Sequence, residues 1–202
     1  NTFSEKHDYN KAIDAYSHIL ETNNDWALIY TKRAKAYFLL GNREQAEADI
    51  AKALSLEDTL PDIYYVRGNM FFLDNKFDEA EKELNKALEL MPDYVEALTL
   101  RGKLYSDMNR ITEAINDLSR AVSIAPSAVT YVNRAIVYEK LPDFSSANID
   151  YNHALELDPT YVPAYINRGM ICYYQRKFKA ARSDFDNAIK YDTNNANAYT
   201  NR

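Results

Sequence analysis

The feature that most constrains this chain is a repeat of 34 residues. Alanines recur in register, with successive spacings of 34, 34, 34, 33 and 34 residues, at Ala12, Ala46, Ala80, Ala114, Ala147 and Ala181. Arginines recur in the same register at Arg33, Arg67, Arg101, Arg134, Arg168 and Arg202. A repeat this regular predicts stacked copies of one small structural element, in which each copy packs only against its neighbours.

The register divides the chain into five complete repeats with a partial repeat at each end. The complete repeats are 27–60, 61–94, 95–127, 128–161 and 162–195, and 196–202 starts another. Residues 1–26 are expected to hold the end of one helix and the whole of a second. We expect one continuous domain. The chain begins without Met and inside a repeat. We therefore expect that it is a piece of a longer protein, or that a second copy covers its exposed end faces in a homo-oligomer.

Composition favours helices and excludes several classes of function. The 202 residues include only 4 glycines and 6 prolines, about 5% against a usual 12%, which leaves little room for the turns of a β-fold. The net charge of −6 argues against a nucleic-acid surface. A single cysteine excludes a disulfide framework and a cysteine-based zinc site. Since no apolar run approaches the roughly 18 residues of a membrane span, we expect no membrane insertion.

Each repeat carries the pattern of two amphipathic helices. Positions 4, 7, 8 and 11 of a repeat share one side of a helix at 100° per residue, and positions 17, 20, 24, 27 and 28 share one side of a second helix. We predict a turn between them at position 15, where Gly41 or Pro142 stands. A capping side chain is expected at position 18. The glycines at position 8 are expected where a side chain would separate two packed helices.

This pattern resembles the tetratricopeptide repeat over essentially the whole chain. The positions that carry the resemblance are 4 and 24 (aromatic or large), 8 (small), 11 (aromatic), 20 and 27 (Ala) and 32 (Pro). Position 4, for example, reads Tyr30, Tyr64, Leu98, Tyr131, Tyr165 and Tyr199. The resemblance implies an all-α fold, a right-handed superhelical solenoid of antiparallel helix pairs with a concave inner face. It also implies a non-catalytic scaffold that binds another protein.

The recurrent arginine at position 7 is matched by an acidic residue at position 23. We predict a ladder of ion pairs, one within each complete repeat, that clamps its two helices. The predicted pairs are Arg33–Asp49, Arg67–Glu83, Arg101–Asp117, Arg134–Asp150 and Arg168–Asp184. A binding role for these residues is the alternative interpretation.

The sequence contains no recognisable catalytic or cofactor constellation. The four glycines form no phosphate-binding loop, and the three histidines have no partner at metal-ligand spacing. Cys172 stands at core position 11, where a small buried apolar residue is more common than a nucleophile. We therefore predict a protein that is not an enzyme and that holds neither a metal nor a cofactor.

The candidate site is the inner face, which in tetratricopeptide proteins is built by the first helix of each repeat. Its positions here are apolar and aromatic towards both ends and charged in the middle, which favours a groove for a protein partner over incidental surface. The predicted peptide-binding residues are Lys35, Phe38, Tyr65, Asn69, Phe72, Lys103, Val132, Asn133, Ile136, Ile166, Asn167, Met170, Tyr173, Tyr174 and Asn201.

Two recognition patterns of the family can be compared with these positions. The two-carboxylate clamp of chaperone-binding members needs Lys, Asn and Arg at fixed positions of three consecutive repeats. No three repeats here supply them, which disfavours a chaperone as the partner. A ladder of asparagines at position 6, as in the O-GlcNAc transferase superhelix, is matched at Asn133, Asn167 and Asn201. An amide can donate to and accept from a peptide backbone, so the resemblance places an extended peptide over the C-terminal part of the chain.

Two alternatives to a simple scaffold remain open from the sequence. One is the targeting domain of an enzyme whose catalytic part lies outside these residues. The other is a structural solenoid that associates end to end. The partner and the cellular compartment are not specified by the sequence, although a cytoplasmic location is the default expectation.

Overall fold

The described part of the chain folds into α-helices joined by short connections and contains no strand. A computed structural model describes residues 2–141 and 144–202, of which residues 2–7 are described by their backbone alone. Within these ranges the helices are α1 (Thr2–Thr22), α2 (Ala27–Leu39), α3 (Arg43–Leu56), α4 (Pro61–Leu73), α5 (Phe77–Leu90), α6 (Val95–Asp107), α7 (Ile111–Ile124), α8 (Ala128–Tyr138), α9 (Ser145–Leu157), α10 (Val162–Tyr174), α11 (Phe178–Tyr191) and α12 (Ala196–Asn201). The all-α prediction is confirmed.

The chain forms two compact halves, residues 1–100 and residues 101–202, which divide within α6. In the N-terminal half, α2 packs against α3 and α4 against α5, and α2 also contacts α4. In the C-terminal half, α8 packs against α9 and α10 against α11, while α10 contacts both α8 and α12. Within each half, the first helices of successive repeats therefore lie next to one another and form one face.

Small residues allow the two helices of a repeat to approach closely. The alanines at position 20 are buried in all five complete repeats. At position 8 of the third repeat, a Cβ added to Gly102 would lie 2.6 Å from Cγ of Leu118, the residue at position 24. A Cβ added to Gly169 would likewise lie 2.7 Å from the ring of Phe185. The prediction that the position-8 glycines permit close helix packing is confirmed.

The turn between the two helices is closed by the backbone rather than by a side chain. Position 15 has a positive φ in four repeats, at Gly41, Asn75, Asn109 and Arg176. At Asn75, for example, the amides of Asn75 and Lys76 donate to the carbonyls of Phe72 and Phe71 at 3.0 and 2.9 Å. This is the Schellman arrangement, which satisfies the last carbonyls of the first helix. The turn predicted at Pro142 lies outside the described residues.

Among the four position-15 residues with a positive φ, Arg176 has the longest side chain. Its backbone is in the left-handed conformation, at φ 59°. Glycine adopts this conformation without a steric penalty, and it is the usual residue at this place in a Schellman turn. We therefore expect Arg176→Gly to raise the free energy of unfolding by about 1 kcal/mol, as measured by urea denaturation. Gln175→Gly, one residue earlier at a negative φ, is the matched control; a gain as large there would contradict the explanation.

The predicted caps at position 18 are wrong. Asp78 and Thr112 lie one residue inside their helices, and Ser145 is the first residue of α9. The residues that precede α3, α5, α7, α9 and α11 make no side-chain capping hydrogen bond. The Schellman turn places the chain directly at the start of the next helix, so position 18 falls too late to cap it.

The N-terminal segment also differs from the expectation. We expected the end of one helix and a second helix within residues 1–26, but α1 runs without interruption from Thr2 to Thr22. Position 15 of this partial repeat is His7, and no Gly, Asn or Pro stands from Glu5 to Tyr9 to favour a turn. The backbone consequently continues as one helix.

Candidate functional site

The arginines and acidic residues of the predicted ladder lie together in every complete repeat. The nitrogen–oxygen distances are 2.8 Å for Arg33–Asp49, 3.2 Å for Arg67–Glu83, 2.7 Å for Arg101–Asp117, 2.7 Å for Arg134–Asp150 and 2.6 Å for Arg168–Asp184. In the four aspartate pairs, Nε and Nη2 of the arginine donate to the two carboxylate oxygens. Each pair connects the two helices of one repeat.

The ladder also connects successive repeats, which the sequence analysis missed. Nη1 of Arg33 donates to Ser17 Oγ at 3.0 Å, that of Arg134 to Ser119 Oγ at 3.2 Å, and that of Arg168 to Asn152 Oδ1 at 2.7 Å. Each acceptor stands at position 25 of the preceding repeat, which is not among the predicted buried positions of the second helix. Its recurrent Ser, Asn or Asp was the signal that could have revealed this contact.

In the N-terminal half, two of the predicted groove residues, Lys35 and Tyr65, form a cluster with Tyr94 and Asp62. The rings of Tyr65 and Tyr94 lie 5.3 Å apart, and Nζ of Lys35 lies 5.5 Å from the Tyr65 ring. The Tyr94 hydroxyl donates to Asp62 Oδ1 at 3.2 Å. Burial is the main cause that raises the pKa of both tyrosines. Lys35 is exposed, and the remaining predicted residues of this half are partly buried: Phe38, Asn69 and Phe72.

Tyr94 belongs to this cluster although the sequence analysis did not select it. It stands at the end of a repeat, before α6, where the tetratricopeptide pattern has no marked position. The cation, the rings and the carboxylate of this cluster already contact one another. The polar groups of this cluster are therefore paired within the chain, whereas Leu39 and Leu73 on the same first helices remain 42% and 58% exposed.

In the C-terminal half, the first helices α8 and α10 present an open apolar surface. Ile136 is 41% exposed and Tyr173 is 51% exposed, and Tyr174 is more exposed still. Tyr173 contacts the rings of Tyr174 and Phe178, with centroids 6.0 and 5.7 Å away. Ile166 and Met170 lie on the same helix as Tyr173 and are partly buried. We call Ile136, Ile166, Met170, Tyr173 and Tyr174 the apolar strip.

Val132 does not belong to this exposed surface. It is only 4% exposed and packs in the core with Ala135 and Tyr151, so the prediction that it contacts a partner is corrected. Thr31, at the same position of its repeat, is also buried, whereas the larger Tyr65 and Ile166 remain partly accessible. The accessibility of position 5 therefore differs from repeat to repeat, and Thr99 at the same position is also partly accessible.

Polar groups line the apolar strip at three places. Asn133 is 9% exposed and its side-chain nitrogen has no hydrogen-bond partner. The buried Tyr151 hydroxyl donates to Glu139 Oε1 and lies beside the side chain of Asn167. Burial raises the pKa of Glu139, and the bond from Tyr151 opposes part of that increase. Of the remaining predicted residues, Asn201 is partly buried on α12 and Lys103 is exposed on α6.

The raised pKa of Glu139 gives a pH-dependent prediction. A carboxylate whose pKa is higher in the folded than in the unfolded state lowers the free energy of unfolding when it is ionised. This destabilisation disappears once the pH falls below the pKa of the unfolded state. Glu139→Gln is therefore expected to raise the melting temperature at pH 7, and the gain should vanish near pH 4. Calorimetry at both pH values measures it, with the exposed Glu57→Gln as control. An equal gain at both pH values would contradict this assignment.

Other reactive groups form no further site among the described residues. Cys172 is partly buried, and burial raises the pKa of its thiol. His18 and His153 are exposed beside Glu21 and Glu156. Within residues 2–141 and 144–202, no three His, Cys, Asp or Glu side chains are grouped so that they could hold a metal ion. Of the helices described, none has the length and apolar character needed to cross a bilayer.

The fold defines a helical-repeat protein built from successive pairs of packed α-helices. Models of the tetratricopeptide repeat match residues 27–59, 95–127, 128–161 and 162–195, and a TPR repeat model matches residues 68–109. The chain belongs to the tetratricopeptide repeat family. Proteins of this family are typically non-catalytic interaction scaffolds. A comparison with curated proteins finds no match.

Solved structures show the same fold at low sequence identity. The Cut9–Hcn1 hetero-tetramer of the APC/C matches with a TM-score of 0.85 and 16% identity, over 96% of this chain and 39% of the other. Yeast Tom70 matches with a TM-score of 0.75 and 20% identity, over 93% and 41%. YrrB, described as a TPR protein with an unusual peptide-binding site, matches with a TM-score of 0.67 and 22% identity, over 93% and 97%. The chain thus spans about two fifths of the length of the matched Cut9–Hcn1 and Tom70 chains.

Proposed function

We propose that this protein is a non-catalytic scaffold that binds an extended segment of a partner protein along the first helices of its C-terminal half. The observation that carries the proposal is the apolar strip, in which Ile136 and Tyr173 are 41% and 51% exposed on adjoining helices. Exposed aromatic and aliphatic side chains with little charge are characteristic of the central part of protein interfaces.

The unpartnered amide of Asn133 supports an extended peptide as the bound form. A buried donor without an acceptor costs free energy, and a rotation of the Asn133 side chain towards the surface would let it donate to a backbone carbonyl of a bound peptide. Asn167 and Asn201 stand at the equivalent position of the next two repeats. Asn167 already lies beside the Tyr151 hydroxyl, so we assign the main backbone contact to Asn133.

Glu139 supports a basic residue in the bound segment. Its carboxylate accepts a hydrogen bond from Tyr151, and no cation lies within ion-pair distance of it among the described residues. A lysine or arginine of the partner would compensate this half-buried charge. We thus expect a segment that combines apolar side chains with a basic one.

The N-terminal half is a weaker candidate for the same function. Lys35, Tyr65, Tyr94 and Asp62 contact one another there, so a ligand would have to displace existing interactions. Self-association and a role as a targeting domain remain compatible with the fold. Light scattering across a concentration series tests the former, since a strict monomer would count against it.

A displayed library of random 16-residue peptides tests the proposal without a known partner. Peptides selected on the wild-type protein are expected to be apolar and basic. Calorimetry should then show at least tenfold weaker binding to the double variant Asn133→Ala/Asn167→Ala, because the backbone contacts are lost. The matched control is Asn116→Ala/Asn194→Ala, two exposed asparagines away from the strip. Unchanged affinity for the first double variant would reject the asparagine contacts, and a failure to select any peptide would reject the proposal.

A further inference from the structure

The N-terminal half contains a cavity that the proposed function does not use. It lies between α3 and α4 and has a volume of about 270 Å³. Its walls include Ile50, Leu54, Met70 and Phe71, with Ala51 and Arg67 beside them. None of these residues belongs to the predicted groove, and the cavity is in the other half of the chain from the apolar strip. We propose that this cavity binds an apolar side chain of a partner polypeptide together with a neighbouring backbone carbonyl.

The first observation is that one acceptor of the arginine ladder is missing here. In three other repeats, the arginine at position 7 donates to position 25 of the preceding repeat: Arg33 to Ser17, Arg134 to Ser119 and Arg168 to Asn152. Arg202 similarly contacts Asp186 at 2.6 Å. Before Arg67, position 25 is Ala51, which has no side-chain acceptor. Arg67 lines the cavity at this place.

The second observation is that Arg67 is poorly satisfied within its own repeat. Arg67 forms an ion pair with Glu83 through one nitrogen–oxygen contact of 3.2 Å. In each of the four aspartate pairs, two nitrogen–oxygen contacts of 2.6–2.9 Å join the side chains. The second carboxylate oxygen of Glu83 is buried without a hydrogen-bond partner. Arg33, Arg101, Arg134 and Arg168 also lie over tyrosine rings, and Arg67 has no such contact among the described residues. Its guanidinium therefore keeps donors for a ligand.

The charges around the cavity favour a neutral acceptor over an anion. Arg43, the other arginine at the cavity, is already paired with Glu47 and Asp74 at 2.7 Å each. Residues 1–100 carry 19 acidic and 11 basic side chains, a net charge of −8, which disfavours an anionic ligand. Three of the four acceptors at position 25 described above are neutral: Ser17, Ser119 and Asn152. A peptide carbonyl reproduces such an acceptor.

The size and lining of the cavity define the apolar part of the ligand. Its volume lies just below the range of about 300–1,000 Å³ typical of small-molecule sites. That space suits one aliphatic side chain with the adjoining backbone. The walls of Ile, Leu, Met and Phe match an isobutyl group such as that of leucine, because apolar surface on both sides is removed from water on binding.

Methyl-detected NMR with N-acetyl-L-leucinamide tests this site directly. Saturable shifts are expected at the methyl groups of Ile50, Leu54 and Met70. Ala51→Asn should weaken the binding at least tenfold, because the new amide takes the place of the ligand carbonyl beside Arg67. Ala48→Asn, on an exposed position of the same helix, should leave the binding unchanged. N-acetylglycinamide, which lacks the isobutyl group, and isovalerate, which carries a negative charge, should both bind at least tenfold more weakly.

Three results would overturn the inference, and none depends on the groove of the C-terminal half. They are the absence of saturable shifts at the cavity methyl groups, equal binding to Ala51→Asn, and binding of isovalerate as tight as that of the amide. The melting temperature of the Ala51→Asn variant shows whether weaker binding could result from unfolding. We expect it to rise, because Arg67 gains the acceptor that the other repeats possess, so weaker binding cannot then be attributed to unfolding.

Discussion

Arg134→Ala is expected to lower the free energy of unfolding by about 3–5 kcal/mol, because it leaves a buried carboxylate without its partner. Asp150 is 1% exposed, and both of its oxygens accept from Arg134 at 2.7 Å. The same guanidinium donates to Ser119 and lies over the rings of Tyr131 and Tyr138. Urea denaturation followed by circular dichroism measures the loss.

The matched control for this prediction is Arg182→Ala. Arg182 is exposed on α11 and approaches Asp186 only at 4.0 Å, so its removal is expected to cost less than about 0.5 kcal/mol. If the two variants were equally stable, the ladder would be a surface feature rather than a clamp between the helices of each repeat.

Replacing both Ile136 and Tyr173 with alanine is expected to weaken the binding of a library-selected peptide about 100-fold, equivalent to roughly 2.7 kcal/mol. Both side chains are large and exposed on adjoining first helices. Aromatic and aliphatic residues at the centre of an interface carry most of the binding energy. Calorimetric titration of the wild type and the double variant with the same peptide measures the change.

The control for this variant removes similar side chains from another surface. Ile149 on α9 is 54% exposed and Tyr191 on α11 is 38% exposed, and both lie on second helices. Ile149→Ala/Tyr191→Ala should retain wild-type affinity. A comparable loss in the control would show that apolar surface in general, and not the apolar strip, binds the peptide.

The fold was predictable because the repeat specifies it at many positions at once. In each predicted repeat from Ala27 to Ala196, the first helix begins at the first residue of the repeat. Alanine at position 20 and a small residue at position 8 recur because two helices must approach closely there, as Gly102 and Leu118 show. Five copies of each requirement make the register unambiguous.

Features set by single residues were less predictable. Val132 and Ile136 both stand at predicted groove positions, yet one is buried and the other exposed, because Val132 packs in the core with Ala135 and Tyr151. The hydrogen bond between Tyr151 on α9 and Glu139, the residue that follows α8, joins two residues that no spacing rule connects. The missing acceptor at Ala51 could not be predicted either, because the sequence does not show that position 25 accepts a hydrogen bond from the arginine of the next repeat.

The most direct test of the central claim is to locate a bound peptide by photo-crosslinking. A selected peptide that carries a benzophenone side chain is irradiated with the protein, and the modified residues are identified by mass spectrometry. The proposed function predicts modification concentrated on α8 and α10, at Ile136, Met170 and Tyr173, with loss of the signal when unlabelled peptide competes. Competable modification on the second helices, at Ile149 or Leu157, with none on the apolar strip would contradict it.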